Sequence, residues 1–106
     1  MTQQALRAWH FASALSMREV LATLRATTGR FWDEGDSEWS DFLGGSIVDD
    51  VRGRVHVERP HAYRIELHAA ADEAHAAAVA RAVALVQETI LPALQATDVV
   101  ADEPVA

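Results

Sequence analysis

The sequence predicts an α+β fold, a single-domain two-layer sandwich in which an antiparallel-rich sheet carries two helices on one face. Three observations predict it. Residues 5–14 and 54–68 alternate apolar and polar side chains with period two. Residues 17–28 and 72–96 repeat apolar side chains at three- and four-residue spacing instead. And 106 residues are enough for one buried core without a metal or a disulfide, but not for two. The resulting order, β-α-β-β-α(-β), suggests a ferredoxin-like topology.

The elements follow in order. In "ALRAWHFASA", Trp9, Phe11 and Ser13 fall on one side of a strand and Leu6, Ala8, His10 and Ala12 on the other. "SMRE" is a capping box, in which Ser16 caps the amide of Glu19 and Glu19 reaches back. Met17, Val20, Leu21 and Leu24 then mark one helical face, and Gly29 supplies a left-handed stop, which places a helix over 17–28. "RFWD" reads as a short strand and "DEGD" as a turn, with Gly35 in the awkward conformation. Residues 37–43 fit a strand, a helical turn ended by Gly44, or a hairpin arm folding back on 30–33. "GG" at 44–45 and "DD" at 49–50 bracket a flexible or turning segment.

Val55 and Val57, then Tyr63, Ile65 and Leu67, line one face of a hairpin whose turn is "RPHA". If Val57 faces Tyr63, Arg54 lies opposite Glu66, a favourable cross-strand pair. The long helix over 72–96 starts at a capping Asp72 and carries the stripe Ala78, Val79, Ala82, Val83, Val86, Ile90 and Leu94. Pro92 predicts a kink or break near 88–92. The domain is taken as residues 1–96, with 97–106 a short edge strand or a frayed tail.

Composition excludes several classes of function. No cysteine is present, so disulfides, thiol catalysis and cysteine metal sites are excluded, and a reducing cytoplasm is the expected setting. The first ten residues lack the pattern of a signal peptide, and no apolar run reaches the roughly 20 residues of a bilayer span. The formal net charge is −7. Residues 31–50 hold Asp33, Glu34, Asp36, Glu38, Asp41, Asp49 and Asp50 and no basic residue, while the remaining nine acids match the nine arginines. The whole excess therefore sits in one fifth of the chain. Such a protein does not seek nucleic acid, and it attracts a basic partner.

The motifs that would carry chemistry are mostly missing. His61, His68 and His75 recur every seven residues with His56 nearby, a spacing that does not converge on one metal. His56 or His68 could act as a base oriented by Glu66 or Asp72, but no nucleophile elbow accompanies them. Reading calcium-loop positions from Asp33 or Asp36 puts the wrong residues at the ligand and glycine positions, and the segment lacks a phosphate loop's terminal Gly-Lys-Ser/Thr. No cofactor is expected.

Two readings of 31–43 compete. In one, Phe31, Trp32, Trp39, Phe42 and Leu43 are core anchors under solvated acids. In the other, Trp32, Asp33, Glu34, Asp36, Glu38, Trp39 and Asp41 form an acidic aromatic recognition surface, since tryptophan is enriched at interface hot spots. The leading expectation is a small cytoplasmic, non-enzymatic protein-binding module, inhibitor- or immunity-like, with a basic protein partner. The alternative is a dimeric ligand-binding or enzymatic sandwich, its pocket between sheet and helices and lined by Trp9, His10, His56 and Tyr63. Self-association would use an edge at 63–68 or 98–101.

Overall fold

The computed structural model describes residues 4–30, 32–35, 42–48, 50–70 and 72–102. Its elements run β1 (Gln4–Ala12), α1 (Met17–Thr28), β2 (Trp32–Gly35), β3 (Phe42–Val48), β4 (Val51–Arg59), β5 (Ala62–Ala69), α2 (Glu73–Leu85), a π-helical turn (Val86–Ile90), α3 (Leu91–Ala93) and β6 (Thr97–Asp102). The α+β class is what the alternation and the helical spacing predict.

The helices begin where local chemistry says they should. Ser16 Oγ accepts from the Glu19 amide at 3.3 Å and Glu19 returns a carboxylate to the Ser16 amide at 3.0 Å, closing the capping box of α1. Gly29 takes φ 66° at its end. Asp72 caps α2 by accepting from the His75 amide at 3.0 Å. The break expected near Pro92 takes the form of the π-helical turn, in which the Leu91 amide reaches the Val86 carbonyl. Proline has no amide to donate and its ring crowds the carbonyl four residues back, so the wider turn absorbs the misfit.

The sheet departs from the ferredoxin-like expectation. Among the described residues it has six strands in the order β2-β3-β4-β5-β1-β6, and every pairing is antiparallel. The additional strand is β3. Gly44 and Gly45 do not turn the chain; they lie inside β3, opposite Asp33 and Trp32 on one side and Arg54 and Gly53 on the other. Gly35 is likewise the last residue of β2 and not the centre of a turn. Of the three conformations open to 37–43, the hairpin arm agrees with the pairing of Phe42 with Gly35. The self-association edge at 63–68 is also corrected, because β5 is bonded on both sides; 98–101 does lie on an edge strand.

The β4–β5 register is the one predicted, with Val57 opposite Tyr63 and Arg54 opposite Glu66. Trp9, Phe11, Val51, Val55, Tyr63, Ile65 and Leu67 point to one side and join Val20 and Leu24 of α1 and Ala82, Val86, Ile90, Leu91 and Leu94 in one buried cluster. Phe11 and Tyr63 stack at 5.7 Å. By length and composition alone, the 21 residues Glu73–Ala93 could cross a bilayer, contrary to the sequence expectation. Alanines raise the helix's hydropathy without a long aliphatic run, and the buried members of its stripe are core residues of this fold.

One buried polar residue ties the ends of the fold together. Ser13 Oγ donates to the Leu94 carbonyl at 2.6 Å and accepts from the Leu15 amide at 3.1 Å. Ser13→Ala leaves a buried carbonyl and an amide without their partner, so a loss of about 1–3 kcal/mol is expected in chemical denaturation. An unchanged midpoint would show that water replaces the hydroxyl.

Candidate functional site

The described strands of the acidic aromatic segment, β2 and β3, lie at one margin of the sheet. Among the described strands β2 is at the edge and pairs with β3 alone, the two forming an outer hairpin. Trp32 is completely buried. Its indole N–H donates to Thr28 Oγ1 at 3.1 Å, and its carbonyl accepts two bonds from the Arg25 guanidinium at 3.0 and 2.7 Å. Thr28 Oγ1 in turn donates to the Leu24 carbonyl at 2.7 Å. Trp32 is therefore an anchor between β2 and α1, and its place in the recognition surface is withdrawn. A buried ring bonded to the neighbouring helix α1 has nothing left to offer a partner.

Asp33 and Glu34 occupy successive positions of β2, opposite Gly44 and Leu43. Asp36, Glu38, Trp39 and Asp41 lie outside the described residues, as does Phe31.

The side of the sheet opposite the apolar cluster carries histidines and carboxylates in pairs. Glu66, on β5, accepts from His56 Nε2 at 2.9 Å and from His68 Nε2 at 3.1 Å, both on the same oxygen, while Arg64 Nε stands 3.3 Å from its other oxygen. His56 and His68 are not cross-strand neighbours; His56 faces Arg64 and His68 faces Arg52. They meet because diagonal neighbours in an antiparallel pair stay within reach of long side chains. Nearby, His10 Nδ1 lies 2.6 Å from Glu58 Oε1, two strands away. His75 bonds Asp72 at the start of α2. His61 stands apart, 3.0 Å from the Ser13 carbonyl, at a turn position with φ 63°. Among the described residues no group of three or more such side chains has a geometry that could hold a metal ion.

These bonds set the acid–base behaviour of the carboxylates. Burial on its own would raise the Glu66 carboxyl. The His68 bond, the Arg64 and His56 charges and the His56 bond together outweigh it, and the net shift is downward. Asp72 is also lowered, chiefly by its bond from His75. A carboxyl lowered in the folded state contributes stability above its unfolded value, near 4.3 for Glu, and loses it as pH falls through the folded value. Glu66→Gln keeps an acceptor but removes the charge. Its thermal midpoint is expected below wild type at neutral pH, the gap closing as pH falls from the unfolded carboxyl's range through the lowered folded value. A gap independent of pH would assign the effect to packing.

The four residues expected to line a pocket between sheet and helices are separated. Trp9 borders an apolar groove of about 540 Å³ with Leu91, Pro92 and Val99. His10 and Tyr63 border a recess of about 500 Å³ with Glu58, Arg59 and Asp98. His56 borders neither and is bonded to Glu66. Sequence reasoning passed over Glu58, Arg59 and Asp98 because their meeting depends on strands 40 residues apart in the chain. Comparison of the chain with protein-family models, with curated proteins and with solved structures gives no match.

Proposed function

We propose that this protein is a non-enzymatic binding module of the cytoplasm that takes a basic protein partner through the acidic aromatic segment 31–43, most concretely as an inhibitor- or immunity-like protein. The observation that carries this reading is the location of the charge. All of the excess of −7 falls within residues 31–50, and the described strands there, β2 and β3, form the outer hairpin of the sheet. Uncompensated acids at a margin steer a basic partner and fix its orientation.

The reading now assigns different work to the two tryptophans. Trp32 holds the hairpin to α1, and Trp39 is left as the aromatic contact, with Asp33, Glu34, Asp36, Glu38 and Asp41 near it in sequence. It also takes both helices to lie together against the apolar side of the sheet, as a two-layer sandwich; the single buried cluster shared by helices and strands supports that.

The test is capture from native lysate with wild type, Trp39→Ala and Asp36→Arg. Loss of a hot-spot tryptophan should weaken binding by about 2 kcal/mol or more, some thirtyfold. Charge reversal should reduce capture at low salt, where the screening length is longest. Equal recovery of the same partners by all three proteins, with equal salt dependence, would rule the reading out.

A further inference from the structure

The recess beside His10 combines features that the hairpin reading leaves unused. Its walls come from β1, from the β4–β5 hairpin end and from β6. Each charged wall is built on a break in the ladder. The β4–β5 register shifts between Val57 and Arg59, leaving Glu58 as the extra residue on β4, next to Arg59. The β1–β6 register shifts between His10 and Ala12, placing one extra residue on β6, where Asp98 adopts φ 53°. Bulges re-aim side chains, and they recur beside binding sites for that reason. Left-handed backbone is uncommon at a residue other than glycine, so the β6 bulge is maintained against a conformational preference.

The charges gathered there are opposed. Arg59 and Asp98 line the recess and form no ion pair with any described residue. Between them Glu58 holds His10 through Nδ1. The strands that carry Arg59 and Asp98 are three steps apart in the sheet, about 14 Å at the backbone. The volume of about 500 Å³ lies within the range of small-molecule sites.

We propose that this recess binds a short zwitterion of dipeptide size, its carboxylate on the Arg59 guanidinium and its ammonium on Asp98 and Glu58. Arginine presents a fork of donors that matches a carboxylate. A ligand with both charges satisfies both walls, whereas a single ion leaves the opposite wall uncompensated. The site asks nothing of residues 31–50, so it stands or falls separately from the hairpin reading.

Alanyl-alanine is the probe, followed through the backbone amides of Ala12, Ala62 and Asp98 by NMR titration up to ~10 mM, which saturates a site with a Kd of ~1 mM. The controls are the same dipeptide N-acetylated, which removes the ammonium, and C-amidated, which removes the carboxylate. Arg59 is exposed, and asparagine tolerates left-handed backbone as aspartate does, so Arg59→Gln and Asp98→Asn should both stay folded; unshifted amides away from the recess verify it. Saturable binding is expected, weakened tenfold or more by either blocked terminus and by either substitution. N-acetylation should then add little to the loss already caused by Asp98→Asn. No saturable shift, equal binding of a blocked dipeptide, or a variant that binds like wild type overturns the proposal.

Discussion

Trp32→Ala should cost about 3–5 kcal/mol, the range for removing a large aromatic side chain from a packed core. The ring is completely buried and also holds the hairpin β2–β3 to α1 through Thr28. Domains of this size have about 5–15 kcal/mol in total, so a fall in melting temperature of roughly 15 °C or more is expected. Trp32→Phe separates the two contributions. It keeps most of the apolar contact and loses the indole N–H, leaving Thr28 Oγ1 without that bond, and should cost roughly 1–2 kcal/mol. A Trp32→Ala protein that melts within a few degrees of wild type would contradict the anchoring role.

Gly53→Ala is the second large effect, and it comes from the same ring. A methyl group built on Gly53 would lie 2.7 Å from Trp32 Cη2 and 2.8 and 2.9 Å from Ile47 Cδ1 and Cγ1. Both neighbours are buried, so neither can swing into solvent. Overpacking of this kind typically costs 1–3 kcal/mol, and a rigid indole places it toward the upper end. The decisive measurement is the double variant Gly53→Ala with Trp32→Phe. The smaller ring should absorb part of the added methyl, so the double variant should be less destabilised than the sum of the singles. Strict additivity would show that the glycine serves the strand's backbone and not the tryptophan.

The two effects explain what the sequence could and could not reveal. Signals confined to a few consecutive residues were legible: the Ser16–Glu19 box, the Gly29 stop, the Asp72 cap and the Arg54–Glu66 pairing all depend on near neighbours or on one hairpin. Gly44 and Gly45 were misread because glycine has two uses, to permit unusual dihedrals and to make room. Here room is what Gly53 provides, and the ring that needs it stands two strands away in the sheet. The ferredoxin-like order failed for a related reason. Nothing in the local pattern of β1 states that its neighbours are β5 and β6. The candidate sites follow the same division. The concentration of acids in 31–50 is a fact of sequence, but the burial of Trp32 and the sharing of Glu66 by His56 and His68 arise only when the sheet is assembled.

The place of β1 inside the sheet has a consequence for synthesis. Trp9 pairs with Ile65 on one side and with Ala101 on the other. Helix α1 and the β4–β5 hairpin can form as soon as they leave the ribosome, because their contacts are local. β1 cannot. At about 5–20 residues per second, its Trp9 and Phe11 wait roughly 3–10 s for β5 and longer for β6. During that interval two large aromatic side chains and an unpaired strand are open to solvent. The nascent chain is thus most prone to aggregation, and most in need of a chaperone, while β1 has been made and β6 has not.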